Sequence, residues 1–287
     1  MIKSRLFMLP ALALFAMCSV PTGSASAAGG HIEIERVQWP FSGIFGTYDP
    51  QQLRRGFGIY KEVCSSCHSL ERIAFRNLVQ PGGPQFGEEE VKALAATYEV
   101  KSEPDDSGQV QNRPALLSDR FPPLYANEKE ARSIHNGALP PDLSLITEAR
   151  GVAYTGPWYL HPFHMLKDIV TGYQEGGADY LHALLTGYME EPPHGVELAP
   201  GMYYNKAFSG HQIAMPPPLN PDMGFYNDGS PETVEQYSRD VAAFLSWAGD
   251  PTHDQRKSTG WVAILFLLVT SVLLYISKRR IWSEVHH

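Results

Sequence analysis

Cys64-Ser65-Ser66-Cys67-His68 places two thiols three residues apart and an imidazole directly after the second. A C-x-x-C-H run of this kind reads as a c-type haem attachment site. The thiols add across the haem vinyl groups as thioethers, and the adjacent imidazole becomes the proximal iron ligand. The spacing suits that chemistry: two intervening residues let both sulfurs reach one porphyrin edge while His68 turns under the iron. A thioredoxin-like redox pair shares C-x-x-C but has no use for the histidine. A zinc site wants a second pair of ligands at similar spacing, and the sequence holds no other C-x-x-C. The expected cofactor is one covalently attached haem c on Cys64, Cys67 and His68, with His68 on the iron.

Outward from the motif, the preceding residues read as the helix that carries it. Asp49 suits an N-cap and Pro50 the first helical position. Leu53, Phe57, Tyr60 and Cys64 then recur at helical spacing and form one apolar face. Haem cysteines at the end of an amphipathic helix are typical of the cytochrome c fold. Before it, Trp39-Pro40-Phe41 and the glycines 43 and 46 read as an extended arm. After it, Glu88-Glu89-Glu90 opens a second helix whose acidic first turn complements its dipole. Residues 101 to 124, with Pro104, Asp105, Asp106, Pro114 and the Pro122-Pro123 pair, read as surface loop. A short helix is expected from Asn127 to about His135, another ending near Arg150, and one from Asp179 to Tyr188. Residues 151 to 177 are rich in glycine and aromatics, with Trp158, Tyr159, His161, Phe163 and His164. Ser230-Pro231-Glu232 reads as the start of the last soluble helix, which Gly249 and Pro251 stop.

The two ends of the chain place this domain. Residues 1 to 28 read as a secretory signal: Lys3 and Arg5, an apolar run from Leu6 to Val20, and Ala25-Ser26-Ala27 for cleavage. Residues 260 to 277 are apolar without a charge, long enough to span a bilayer, with Trp261, Tyr275 and Trp282 where an aromatic belt lies. The division expected is therefore a signal over 1–28, an exported haem domain over 29–255, an anchor with its flanks over 256–280 and a cytoplasmic tail over 281–287. Of three cysteines, Cys18 falls in the leader, so no disulfide scaffold is available. The formal charge of the 287-residue chain is −8, and it becomes more negative once Lys3 and Arg5 leave with the signal. That argues against nucleic acid, whose phosphates need Lys and Arg, and favours a basic protein partner met by electrostatic steering. The acid clusters Glu88-Glu89-Glu90 and Asp105-Asp106 are candidate docking charges, against the plainer reading of a helix start and a solvated loop.

His68 fills one axial position, and the other sets the chemistry: methionine gives an electron carrier of raised potential, histidine a lower one, an open site binds small molecules. Met165, Met189, Met202, Met215 and Met223 are available, as are several histidines. Most methionines are core filler. Met215 stands out because Pro216-Pro217-Pro218 follow, fixing an extended backbone suited to presenting a thioether rigidly.

Four stretches, taken in order, carry a resemblance: Cys64 to His68, Asn136-Gly137-Ala138-Leu139-Pro140-Pro141-Asp142-Leu143-Ser144, Leu185-Thr186-Gly187-Tyr188, and Ile213-Ala214-Met215-Pro216-Pro217. Together with the C-terminal anchor they resemble cytochrome c1, the haem subunit of the quinol–cytochrome c oxidoreductase or bc1-type complex, from about Trp39 through the anchor. The resemblance implies a mostly α-helical, cytochrome c-like haem domain with long loops plus one transmembrane helix, in a bacterial inner membrane, with the haem on the periplasmic side. It implies Met215 as the axial methionine and Arg150 as the partner of a haem propionate. It implies a cytochrome b subunit, a Rieske iron–sulfur protein as electron donor and a c-type cytochrome as acceptor, with no bond chemistry in this subunit. Residues near 152 to 175 look like an insertion relative to mitochondrial members, and His161 and His164 take no role from the resemblance. A free-standing membrane-anchored electron shuttle and a haem enzyme with an open coordination site are the rival classes.

Overall fold

The structure, a computed structural model, describes residues 32 to 283 apart from 33, 153 and 155. The leader and the last four residues of the tail lie outside them. In chain order the elements are α1 (Pro50–Glu62), α2 (Glu88–Ala95), strands β1 (Glu99–Lys101) and β2 (Asn112–Pro114), α3 (Glu128–Ile134), α4 (Ile146–Ala149), α5 (His161–Thr171), α6 (Gly176–Thr186), strands β3 (Tyr203–Tyr204) and β4 (Gln212–Ile213), α7 (Val234–Gly249) and α8 (His253–Trp282). The fold is mostly α-helical, as expected. Its strands are confined to two antiparallel pairs, β1 with β2 and β3 with β4.

α1 begins where its chemistry says it should. The Asp49 carboxylate accepts the Gln51 amide at 3.0 Å and Pro50 occupies the first turn. It buries Leu53, Phe57, Ile59 and Tyr60 against α7, which contributes Tyr237, Val241, Phe244, Leu245 and Trp247. Each such side chain contributes about 1.5–3 kcal/mol when fully withdrawn from water. The two helices cross at Gly56, where a Cβ would lie 2.1 Å from the Asp240 carbonyl oxygen. Asp240 itself is fully buried. Its carboxylate accepts from Arg55 (2.7 Å), Gln52 (3.1 Å), Tyr226 (2.6 Å) and Gln236 (3.0 Å), so the charge is paired and its lone pairs are used.

A second set of contacts ties the N-terminal arm to α6. Buried Asp179 accepts from the Trp39 indole at 2.7 Å, the Val37 amide at 3.1 Å and the Tyr173 hydroxyl at 2.6 Å. α6 reaches α4 so closely that a Cβ on Gly177 would meet the Thr147 carbonyl at 1.8 Å.

α7 and α8 are separated by only Asp250, Pro251 and Thr252. α8 extends eight residues before Trp261 opens the apolar run, and the stretch long and apolar enough to span a membrane is unburied by the rest of the chain. Lys257 in its second turn donates to the carbonyls of Phe41 (3.0 Å), Gly43 (2.6 Å) and Gly46 (3.0 Å). Phe45, from the same arm, stacks on Trp261 with centroids 5.1 Å apart.

Three local readings change. The stretch from 101 to 124 is not all loop: β2 pairs with β1 across it. The last soluble helix starts at Val234 with Thr233 as its cap, accepting the Gln236 amide at 3.2 Å. Glu232 is drawn away from any helix start, because its carboxylate accepts the Gly224 amide and the Tyr237 hydroxyl. Residues 151 to 177 contain a full helix, α5.

Candidate functional site

α1 delivers the cysteine motif. Its last turn closes with the Val63 amide on the Ile59 carbonyl, and the chain then tightens into a 3₁₀ turn over Cys64–Ser66. The amides of both Cys67 (3.1 Å) and His68 (2.8 Å) donate to the Cys64 carbonyl, which folds the two thiols and the imidazole round one point. No disulfide joins the two cysteines. Burial, and then the neighbouring Cys67, pushes the Cys64 thiol up to about 12. A redox-active C-x-x-C pair depends on a thiol lowered well below its ordinary value, so this environment is the reverse of what that chemistry needs.

His68 is oriented by a backbone carbonyl. Its Nδ1 lies 2.8 Å from the Pro141 oxygen, which can only accept, so Nδ1 holds the proton and Nε2 presents its lone pair. Burial lowers the imidazole pKa, against the opposing pull of the Pro141 bond, and keeps the ring neutral. A neutral imidazole with its other nitrogen bonded to a carbonyl is the usual state of a metal-ligating histidine. The Pro141 carbonyl is in turn fixed by Asp142. That carboxylate accepts the Glu71 amide (2.8 Å), the Ser69 hydroxyl (3.1 Å) and the Ser144 amide (2.9 Å), and the Leu143 amide donates to the Ser69 carbonyl at 2.9 Å. The turn from 140 to 144 is thereby stitched to the residues just after the motif. Tyr60 donates to the His68 carbonyl at 3.1 Å from the other side.

Met215 sits on a separate loop just past β4, half-buried, and Pro216 to Pro218 follow it outside any helix or strand. The Tyr188 hydroxyl donates to its carbonyl at 3.0 Å. Tyr188 is held by an antiparallel bridge to Asn205, and buried Asn205 donates to the Leu184 carbonyl at 2.7 Å while accepting the Ala207 amide at 2.9 Å. Gly187 makes that closeness possible: a Cβ there would lie 3.0 Å from the Asn205 side-chain oxygen and 2.6 Å from the Ala183 carbonyl. No hydrogen bond joins the His68 and Met215 segments among the described residues; each is held by its own network.

Arg150 caps the end of α4 and is exposed, with its guanidinium donating to the Ala149 carbonyl at 3.2 Å and no carboxylate partner among the described residues. It lies within electrostatic reach of Tyr180 on α6, and Tyr180 within reach of Tyr188. Sequence reading identified Cys64, Cys67, His68, Met215 and Arg150 but did not assign roles to the Pro141 carbonyl, Asp142, Tyr188 or Asn205. The only signal for Pro141, Asp142 and Tyr188 was that they fall in the motif stretches, and Asn205 lies outside all four.

The donor set tests the expected cofactor. A neutral imidazole nitrogen with two thiols beside it would give a cofactor one iron ligand and a covalent tether, so the metal would have to arrive with further ligands of its own. A haem meets both requirements.

Comparison with known proteins agrees. The sequence model of the cytochrome C1 family matches residues 39–285. The chain is 45% identical over 271 residues to the cytochrome c1 of Blastochloris viridis, covering 94% of this chain and 92% of that protein. It is 45% identical over 249 residues to the cytochrome b/c1 of Bradyrhizobium diazoefficiens, covering 87% of this chain but only 35% of that longer protein. It is 42% identical over 265 residues to a Candida albicans protein named cytochrome b-c1 complex catalytic subunit, mitochondrial, covering 92% of this chain and 83% of that protein.

Proposed function

Because this chain belongs to the cytochrome c1 family, we propose that it receives one electron at a time from a Rieske iron–sulfur protein and passes it to a c-type cytochrome. It is a haem-bearing electron carrier of the bc1-type complex, and we place it beside a cytochrome b subunit in that assembly. The observation that carries the site is the Nδ1 contact of His68 with the Pro141 carbonyl, because it leaves Nε2 as a neutral donor. Cys64 and Cys67 would hold the haem as thioethers, His68 and Met215 would ligate its iron, and Arg150 would offer a guanidinium fork to a propionate. Bound haem supplies reversible one-electron iron chemistry. The chain's own work is to hold the two ligands apart and still. Asp142 and Ser69 brace the histidine side, and Tyr188 with Asn205 brace the methionine side.

The reading includes the topology expected from sequence. A signal over 1–28 exports the domain over 29–255, α8 within 256–280 anchors it once in the inner membrane, and 281–287 stays in the cytoplasm. No substrate bond is made or broken in this chain; quinol oxidation belongs to the complex. Purification of the full chain from its own membranes in mild detergent tests all of this together. The expected result is co-purification with a cytochrome b and a Rieske subunit, one haem c in the reduced visible spectrum, and no binding of carbon monoxide at neutral pH. Recovery as a lone chain points to a free-standing shuttle, and ready carbon monoxide binding to an open-site enzyme; either refutes the proposal.

A further inference from the structure

α5 is an amphipathic helix facing the wrong way for a core. At 100° per residue, Met165, Ile169, Pro162, Leu166, Val170 and Phe163 fall in one arc of about 160°. Not one residue of α5 is buried: Phe163 is 68% and Ile169 73% exposed, and Trp158 just before the helix is 85% exposed. The polar arc is exposed too, apart from half-buried Asp168, but it makes the polar and aromatic contacts that tie the helix to its neighbours. Asp168 pairs with Arg36 at 3.0 Å, and His161 and His164 pack on the Tyr154 ring at 4.9 and 4.7 Å. A helix docked through its charged side with its apolar side outward needs an apolar medium on that side.

Its position says which medium. Gly172, which ends α5 in the left-handed conformation, lies against the arm: a Cβ there would be 3.5 Å from Gly43 and from the Ile44 side chain. The same arm is gripped by Lys257 of α8 and stacks Phe45 on Trp261, the first residue of the apolar run. Exposed Ile44 and Phe45 thus bridge the apolar arc of α5 to the start of the membrane span.

We propose that α5 is an interfacial helix, lying in the surface of the same bilayer that α8 spans and giving the domain a second membrane contact. An apolar arc flanked by Trp158 and Tyr159, which favour the headgroup region, is the composition such helices use. Lys167 is its sole lysine or arginine and is offset by Asp168, so the attraction is apolar and indifferent to lipid charge and salt.

The test uses the full holo-chain in phosphatidylcholine vesicles, with a spin label on a single introduced cysteine. Phe163→Cys and Ile169→Cys report the apolar arc, and Lys167→Cys the polar one. Labels at 163 and 169 should lose collision with a water-soluble nickel chelate and retain collision with oxygen, while the label at 167 keeps both; added salt should change nothing. Nickel access at 163 and 169 equal to that at 167 overturns the proposal. So does protection seen only in the assembled complex, which means a protein subunit covers the face. A parent chain that takes label on Cys64 or Cys67 signals failure of the haem reading, a result separate from the accessibility pattern. Covalent haem in each variant shows that it has folded.

Discussion

Gly56 and Gly58 lie two residues apart on α1 and should respond to the same substitution with opposite signs. A Cβ at 56 would lie 2.1 Å from the Asp240 carbonyl oxygen and 2.6 Å from Phe244 Cβ, whereas one at 58 meets nothing within 4 Å. An ordinary contact needs 3.4 Å or more, so Gly56→Ala forces α1 and α7 apart by about an ångström, and the obstacle is backbone that no rotamer change can move. Overpacking of this kind costs about 1–3 kcal/mol, here toward the upper end, and the helix-propensity gain of alanine over glycine returns about 1 kcal/mol. The net is a loss of roughly 2 kcal/mol, or a Tm lowered by about 4–8 °C in a domain of this size. Gly58→Ala keeps only the propensity gain and should raise Tm by about 2–4 °C. Thermal unfolding of the two purified holo-variants, followed by circular dichroism, decides it. A stabilised Gly56→Ala, or equal shifts at both positions, would refute the close crossing. The site is affected as well, because this crossing fixes where α1 releases Cys64.

Three further outcomes are expected. Met215→Lys should lower the midpoint potential by on the order of a few hundred millivolts in a redox titration, given the range that axial ligands set; an unchanged potential would sink the assignment. Bonds from the Ser230 amide and hydroxyl, then from Arg55, hold the Asp228 carboxyl down to about 2 from 3.8. A depressed carboxyl contributes stability above its unfolded value that is lost as pH falls through the folded one. Asp228→Asn should therefore flatten the acid limb of a denaturation series between pH 4 and 2, and an unaltered limb would remove Asp228 from it. Lys92 pairs with both Glu88 and Glu89 at 2.9 Å and offsets one of their two charges, and Asp105 is spent on its own loop through Ser107 and Gln109. Glu88→Gln with Glu89→Gln should accordingly leave the salt dependence of electron transfer to the acceptor nearly unchanged in stopped flow; a steeply reduced slope would restore these acids as docking charges.

Local signals were legible in the sequence and long-range ones were not. Asp49 and Pro50 announce α1 because a cap and its helix start are neighbours in the chain, and Leu53, Phe57 and Tyr60 follow at one period. Ser230-Pro231-Glu232 carries the same kind of signal and misleads, since Glu232 finds better partners in Gly224 and Tyr237 across a loop. α5 escaped because its apolar arc joins no core, and Pro162 and the flanking glycines mask its period. At the site, the candidate ligands were visible as residue types, but the acceptor that selects the His68 tautomer is a backbone carbonyl, which every residue has. Nothing in the sequence marks Pro141 for that role, and the hold of Tyr188 on Met215 likewise exists only once β3 and β4 pair.

The three-residue link between α7 and α8 has a mechanical consequence. α7 is packed into the core on α1, α1 runs straight into Cys64, and Lys257 latches the head of α8 to the arm through three carbonyls. Among the described residues no slack segment separates the anchor from the cysteine motif. A tilt of the anchor is therefore a tilt of the whole domain, and the motif cannot swivel on its own toward one neighbour and then another. On the proposed function, a domain mounted in this way would be a stator, and the travel needed to collect and deliver charge would fall to the molecules on either side of it.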